Sequence, residues 1–387
     1  MPTVLRFSTA GQIISGAPLQ EALAEIVAER SAEHVLLMCD PSVVTLDEVQ
    51  AGIRAVAART RVTTRTDLTP EPTAYLVDTL QRDLADQDFD LVVGIGGGSV
   101  LDVAKLLSVL VDAPCTVADI LGTDSVAAAG IPLVAVPTTA GTGAEVTPNA
   151  IVTLTDQQLK VAAVSRHLLP AHVVLDPALT VGMPPLVTAS TGVDAFIHSL
   201  ESVTSNKANA MCDAAGYHSM RLIYDALPRA FDHPRNLDAR RDMLYGSMLG
   251  GMALTAAGTT AVHALSYPLG GRFGIPHGIA NAMLLLPVME FNRPALRDEF
   301  AGIAVMLGIA APGAAPEERA DRFLDALRDL VARVAIPTDL AAYGVTIDDL
   351  DDLSLAASRV TRLLDNNRRP VGIEDIRAMY ERVLAVR

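Results

Sequence analysis

Apolar positions follow two regimes along the 387-residue chain. As far as about residue 180, short apolar runs, many of them β-branched, alternate with segments whose apolar positions return every three or four residues. The runs lie at residues 4–7, 34–39, 61–66, 91–94, 132–136 and 173–175. Helical spacing occupies residues 19–29, 46–58, 73–84 and 100–111. This alternation predicts a parallel sheet covered by helices on both faces, because each element then buries its apolar side. Residues 151–154 and 160–164 flank the polar stretch Thr155-Asp156-Gln157-Gln158 and predict a β-hairpin. The cluster Gly182-Met183-Pro184-Pro185 then punctuates the chain. Beyond it β-branched runs all but vanish and helical spacing takes over, with breaks at Pro337 and Pro370 and an Ala-rich loop over residues 309–316. The expected organisation is an α/β domain over residues 1–182 and an all-helical domain over residues 183–387.

Composition narrows the function. Half of the residues are apolar and 19% are charged, so a large core can be buried and wholesale disorder is excluded. Aromatics contribute only 4%, and a core of Ala, Val and Leu suits helices and strands buried on both faces. No run approaches the roughly 18 apolar residues of a membrane span; the richest stretch, residues 100–111, is interrupted by Asp102 and Lys105. A net charge of −15 repels nucleic-acid backbones and anionic lipid, so neither is an expected partner. A bound phosphate must then be held by backbone amides and helix ends. Cys39, Cys115 and Cys212 stand apart from one another, which argues against a disulfide framework or a thiolate zinc site and fits a reducing cytoplasm. Residues 1–17 hold one Arg and no continuous apolar segment, so no signal peptide is expected there and the expected location is cytoplasmic.

Two loops carry candidate binding chemistry. Gly94-Ile95-Gly96-Gly97-Gly98-Ser99 follows a predicted strand and opens a helix that Ser99 is placed to cap. Glycines let backbone approach a pyrophosphate, and the first helical turn supplies free amides. Ser99 stands where the last glycine of a G-x-G-x-x-G fingerprint belongs, and the loop follows about the fourth strand, so this is not the usual dinucleotide motif. A plain tight turn is the alternative, although three successive glycines carry an entropic cost that a turn does not require. Residues 137–147, Pro-Thr-Thr-Ala-Gly-Thr-Gly-Ala-Glu-Val-Thr, follow another strand with hydroxyls suited to a ribose, phosphate or carboxamide. Two such loops at the carboxyl ends of parallel strands point to one ligand site.

Candidate metal chemistry lies in the second half, where His198, His218, His233, His263 and His277 occur. Asp194 and His198 are four apart on a predicted helix and share a face. His263 lies on another apolar helix, and His277 follows in Ile275-Pro276-His277-Gly278. One carboxylate and up to three imidazoles make a candidate divalent-cation site with a position open to a substrate oxygen. Either pair alone also suits an ordinary hydrogen bond. His167 and His172, on either side of Pro170, are read as structural or surface residues.

Together these segments resemble the iron-containing (group III) alcohol dehydrogenase family. Gly96-Gly97-Gly98-Ser99 with Asp102 and Lys105 is similar to its GGGSxxDxxK segment, and residues 137–147 to its PTTAGTGAEVT segment. Gly192-Val193-Asp194-Ala195-Phe196-Ile197-His198 with Glu201 resembles its GxDAxxHxxE segment. Val262-His263-Ala264 through Pro276-His277-Gly278 resembles its histidine signature. The resemblance implies a dehydroquinate-synthase-like fold, with an N-terminal dinucleotide-binding domain and a C-terminal helical domain that supplies the metal ligands Asp194, His198, His263 and His277. It implies Fe²⁺, sometimes Zn²⁺, as the metal, and a homodimer or larger homo-oligomer. Gly97, Gly98 and Ser99 would cradle the pyrophosphate with Asp102 in the same segment, and Thr138, Thr139, Thr142, Asn149 and Lys160 would line the rest of the cofactor site. Many members carry a second His four residues after the third ligand; here that position is Tyr267, placed on the same face of the helix as His263.

The expected activity is hydride transfer between NAD(H) and a small alcohol or aldehyde, or a hydroxy or oxo acid, with the metal as Lewis acid. A maleylacetate-reductase-like enzyme is one alternative. A lyase of the dehydroquinate-synthase kind is another, but its phosphorylated substrate calls for clustered Lys and Arg. A binding protein that has lost catalysis is the non-enzymatic alternative. NAD is expected over NADP, because Asp40 directly follows the predicted strand at 34–39, where a carboxylate bonds the ribose 2′-hydroxyl and repels a 2′-phosphate. Asp40 also suits the cap of the next helix, beside Pro41. Arg272, between the two histidine ligands, is a candidate partner for a substrate carboxylate; pairing with an acidic surface residue is its alternative.

Overall fold

A computed structural model describes residues 7–157 and 159–384. Residues 4–6 of the run expected at 4–7 lie outside the described residues, as does Gln158 of the hairpin turn. The described residues fall into two compact units, which meet in sequence at Met183 and Pro184.

The first unit contains β1 (Gln12–Ser15), α1 (Leu19–Arg30), β2 (His34–Cys39), α2 (Asp47–Ala57), β3 (Arg61–Arg65), α3 (Ala74–Leu84), β4 (Leu91–Gly96) and α4 (Gly98–Leu110). It continues with β5 (Gly122–Thr123), β6 (Leu133–Pro137), β7 (Asn149–Leu154), β8 (Leu159–Val164) and β9 (His172–Leu175). Six strands form a sheet in the order β1-β9-β6-β4-β2-β3, parallel throughout. Strand periodicity sorts its side chains. Leu36, Met38 and Val92 pack with the apolar side chains of α3 and α4. Val35, Leu37, Cys39, Leu91, Val93 and Ile95 pack with α1 and α2 on the other face. Alternate residues of one strand thus feed two cores, which is why these strands read as unbroken apolar runs. From β2 the chain steps outward to β3, crosses back to β4 and proceeds through β6 to β9. The progression reverses between β2 and β4, and their carboxyl ends flank the crevice where open α/β sheets bind ligands. The expected hairpin is β7–β8, antiparallel from Asn149↔Val164 to Leu154↔Leu159, and it joins β5 in a second sheet.

His172 is a structural residue of this unit. It is 2% exposed on β9. Arg30 Nε lies 3.0 Å from its Nε2, which must accept, so Nδ1 carries the proton and donates to Gln12 Oε1 at 2.9 Å.

The second unit holds α5 (Pro185–Val203), α6 (Ala210–Asp232), α7 (Leu237–Ala257), α8 (Ala261–Phe273), α9 (His277–Met306), α10 (Pro316–Arg333), α11 (Leu350–Ser358), α12 (Thr361–Leu364) and α13 (Ile373–Val383). No strand occurs among its described residues. Asn209 and Asn236 cap α6 and α7, and Pro316 opens α10 directly after the Ala-rich loop. α5 is buried along nearly its whole length, so its polar residues Asp194, His198 and Glu201 lie inside the helical core. No single helix among the described residues is long and apolar enough to cross a membrane.

Candidate metal centre and dinucleotide loops

Three helices of the second unit bring the candidate ligands together. Asp194, His198 and Glu201 project from one face of α5, His263 from the first turn of α8, and His277 begins α9. At Gly278 a Cβ would meet Ser190 O at 2.6 Å, so the glycine is what lets α9 close on α5 and deliver the preceding His277. Asp194 Oδ1 lies 3.7 Å from His263 Nε2 and 3.8 Å from His277 Nε2, and Asp194 Oδ2 lies 3.8 Å from His198 Nε2. One ligand atom from each of the four residues falls within 4.8 Å of all the others. That spacing and that donor set suit a divalent cation. Asp194, His198 and His263 are buried, whereas the His277 side chain is 33% exposed and marks the open side. Burial alone would push the Asp194 carboxyl up, but the three imidazoles outweigh it and hold it below the usual range.

Glu201 supports the cluster. Its Oε2 lies 2.5 Å from His263 Nδ1, and its Oε1 accepts from the Thr260 hydroxyl at 2.5 Å and from Val262 N at 2.7 Å. Thr260, the N-cap of α8, makes no capping bond of its own, so the carboxylate serves the positive end of that helix in its place. A carboxylate on Nδ1 fixes the ring with Nε2 facing the cluster, as outer partners of metal-binding histidines do. Burial works to lower the His263 pKa, but Glu201 and Asp194 together raise it.

Tyr267 borders the site, its ring centroid 6.2 Å from that of His277. Burial raises its phenol above the ordinary tyrosine range, so it keeps its proton at neutral pH. Arg272 is elsewhere. It pairs with Asp352 at 3.2 Å and Asp349 at 3.4 Å at the surface, which corrects the anion-binding expectation in favour of the surface ion pair. Asn281 was not singled out by sequence. It lies one turn after His277 in α9, and its amide nitrogen touches three of the four candidate ligands. The signal available was the i, i+4 spacing from His277, the same spacing that links Asp194 and His198.

In the α/β unit the two loops interlock. Gly97, not Ser99, occupies the N-cap of α4, with an extended backbone. Ser99 lies inside the first turn and its Oγ accepts from Glu71 N at 3.3 Å, so its capping role is corrected. A Cβ at Gly98 would meet Thr142 at 2.9 Å, and one at Gly97 would meet Thr139 at 3.3 Å. Thr138 is buried and donates its N–H to Gly96 O at 3.0 Å. Glycines 97 and 98 therefore admit the second loop against the first. Lys160 pairs with Glu71 at 2.7 Å, and Glu71 in turn bonds Ser99 of the loop. Glu71 has a left-handed φ of 55°, and no spacing in the sequence marks it.

Asp102 bonds the scaffold through its side chain, and Asn149 through its main chain. Asp102 Oδ2 accepts from Ile151 N at 3.0 Å, and the Asn149 carbonyl accepts from Lys105 Nζ at 2.7 Å. Lys105 is fully buried and also donates to Thr147 O at 2.8 Å. Burial pushes the Lys105 ammonium down and the Asp102 and Glu145 carboxyls up, while their mutual attraction opposes both shifts. Asp40 directly follows β2, and its N–H donates to Ile95 O at 2.9 Å. It does not cap α2, which begins seven residues later with Leu46 as N-cap. Instead Asp40 Oδ1 accepts from Ser42 N at 2.8 Å and Ser42 Oγ at 2.7 Å within the intervening turn.

The chain thus joins a parallel α/β unit with glycine and threonine loops to a helical unit with a carboxylate–imidazole cluster. Residues 10–177 match the family model for iron-containing alcohol dehydrogenase, and residues 188–384 match the C-terminal model of the same family. Long-chain-alcohol dehydrogenase 1 of Geobacillus thermodenitrificans is 38% identical over 373 residues, covering 94% of this chain and 93% of its own. Among solved structures, a 1,3-propanediol oxidoreductase superposes with a TM-score of 0.94 at 29% identity, covering 98% of this chain and 100% of its own. The sulfoacetaldehyde reductase of Bifidobacterium kashiwanohense, solved in complex with NAD⁺, gives 0.89 at 28% identity, with both chains wholly covered. The chain belongs to the iron-containing alcohol dehydrogenase family and has the dehydroquinate-synthase-like fold that the resemblance implied. It is an oxidoreductase of alcohols or aldehydes, which sets the lyase alternative aside.

Proposed function

We propose that the chain is a metal- and NAD(H)-dependent dehydrogenase that interconverts an alcohol and its aldehyde. The observation that carries this reading is the largely buried cluster of Asp194, His198, His263 and His277, whose ligand atoms lie within 4.8 Å of one another. One carboxylate and three imidazoles fit a first-row divalent cation, with Fe²⁺ the first reading from the family and Zn²⁺ the second. When bound, the cation supplies Lewis acidity to the substrate oxygen, and the nicotinamide gives or takes the hydride. The protein's own contribution is orientation. Glu201 holds the His263 ring, and the partly exposed His277 marks where substrate approaches. Tyr267 keeps its proton and offers a hydrogen-bond donor, where an imidazole would exchange protons freely at neutral pH.

For the dinucleotide, the α4 amino terminus with Gly97 and Gly98 receives the pyrophosphate, and Thr139 and Thr142 pack beside it. The sulfoacetaldehyde reductase solved with NAD⁺ supports this reading. Asp40, at the end of the strand next to β4, favours NAD over NADP by repelling a 2′-phosphate. With Arg272 paired at the surface, a substrate carboxylate is not required, and the reading is a neutral alcohol or aldehyde. A homodimer or larger assembly in the cytoplasm, with no nucleic-acid or membrane partner, completes it; the charge of −15 is in keeping with the last point. The test is a panel of alcohols and aldehydes, with acidic analogues, assayed with NAD(H) after loading with Fe²⁺ or Zn²⁺. Metal-dependent turnover of neutral substrates is expected. Equal turnover after complete metal removal would refute the metal reading.

A further inference from the structure

Asn281 is a buried amide set among the four candidate ligands. It is wholly inaccessible, and its Nδ2 lies 2.6 Å from Asp194 Oδ1, 3.1 Å from His277 Nε2 and 3.2 Å from His263 Nε2. Its Oδ1 has no hydrogen-bond partner among the described residues. An amide nitrogen has two N–H groups, and here three acceptors stand within reach. The carboxylate is the strongest acceptor and makes the shortest contact, so one N–H belongs to Asp194 Oδ1. The two imidazole nitrogens have a single lone pair each, the one that would hold a cation. The carboxylate has several acceptor positions and can serve both the amide and a cation.

We propose that Asn281 is a positioning residue of the metal centre. Its amide pins Oδ1 of Asp194 and so fixes the plane in which the carboxylate faces the three imidazoles and would meet a cation. A carboxylate otherwise swings between one-oxygen and two-oxygen binding; a fixed donor on one oxygen holds it in one orientation. The same pin offsets the burial of a carboxylate that has no guanidinium or ammonium partner among the described residues. This inference rests on the metal reading of the cluster.

The test is a Zn²⁺ titration of the metal-free full-length protein against a chromophoric chelator, together with the visible absorption of the Co²⁺-loaded protein. Asn281→Leu has a similar volume and no donor. It should bind Zn²⁺ about 10–100-fold more weakly, as outer-partner losses generally do, with altered Co²⁺ bands. Asn281→Ala should do the same and serves if leucine prevents folding. Asn281→Leu should also cost nothing further in an Asp194→Ala background, because the amide acts through that side chain's oxygen. Unchanged affinity and unchanged Co²⁺ bands in the Asn281 variants, or losses that simply add in the double variant, overturn the inference. A wild-type protein that takes up neither Zn²⁺ nor Co²⁺ stoichiometrically overturns the metal reading instead, so the two failures are distinct.

Discussion

Glu201 Oε2 stands 2.5 Å from Nδ1 of His263, while its other oxygen holds the first turn of the helix that carries that histidine. One carboxylate therefore sets both the position of the helix end and the orientation of the ring. Glu201→Gln keeps the shape and removes the charge. Zn²⁺ affinity should fall by about 10–100-fold. Chelator competition measures it, and unchanged affinity would show that ring orientation does not depend on the carboxylate.

Among the described residues, Lys105 is the cation whose charge acts on the half-buried Asp102 and the buried Glu145 carboxyls. Lys105→Met should cost about 3–5 kcal/mol, the usual result of leaving one side of a buried ion set behind. Urea unfolding checks this. Adding Asp102→Asn and Glu145→Gln should recover part of the loss. A triple variant less stable than Lys105→Met would contradict the electrostatic account.

His172 has a pKa lowered by burial first and by Arg30 second. The unfolded chain therefore takes up a proton at its ordinary pKa near 6.5, before the folded chain does. The sign follows: the contribution to stability is present above that pH and is lost as pH falls through the lowered folded value. Comparing urea midpoints at pH 7.5 and 5.5, wild type should lose more than His172→Asn. Equal losses would mean that the ring's proton is not linked to folding.

Asp40→Gly should narrow the preference for NAD over NADP by about tenfold or more. A unit charge pair at 4 Å in an effective dielectric of 20 interacts by roughly 4 kcal/mol before screening. Because Ser42 loses its acceptor too, Asp40→Asn is the cleaner companion: it keeps an oxygen for the turn and removes the charge. The ratio of kcat/KM for the two cofactors is the readout, and a ratio unmoved in both variants would leave Asp40 only its turn.

Arg272→Ala should leave the selectivity between a carboxylated aldehyde and its neutral analogue unchanged, since the guanidinium is already taken by Asp349 and Asp352. A selective loss toward the acidic substrate would restore the anion-binding role.

The central strands were legible in the sequence because they are buried on both faces. β2 coincides with the apolar run at 34–39, and Thr73 was readable as the start of α3, where its hydroxyl accepts from Leu76 N. β1 was not legible: Gln12–Ser15 is a half-exposed edge strand with only two apolar residues, and β5 has only two residues in all. The carboxylate and imidazoles were found because their types and helical spacing carry the chemistry. Their outer partners are harder to see. Asn281 is one turn from His277, but an asparagine in a helix has many uses, and only packing shows that this one reaches Asp194. Asp40 and Ser99 stand where local pattern marks a helix start, but the turn after β2 and the extended backbone of Gly97 shift the caps to Leu46 and Gly97.

The corner between α7 and α8 is tied from far along the chain. Asn366 Nδ2 donates to Ala257 O and Thr259 O, and the Tyr380 hydroxyl donates to Leu265 O, on either side of His263. On the ribosome, all four candidate ligands emerge some ninety residues before Asn366 does. The corner that presents His263 is thus locked by residues made well after the ligands, and a chain stalled or clipped before Asn366 would carry every candidate ligand yet lack the brace that sets one of them.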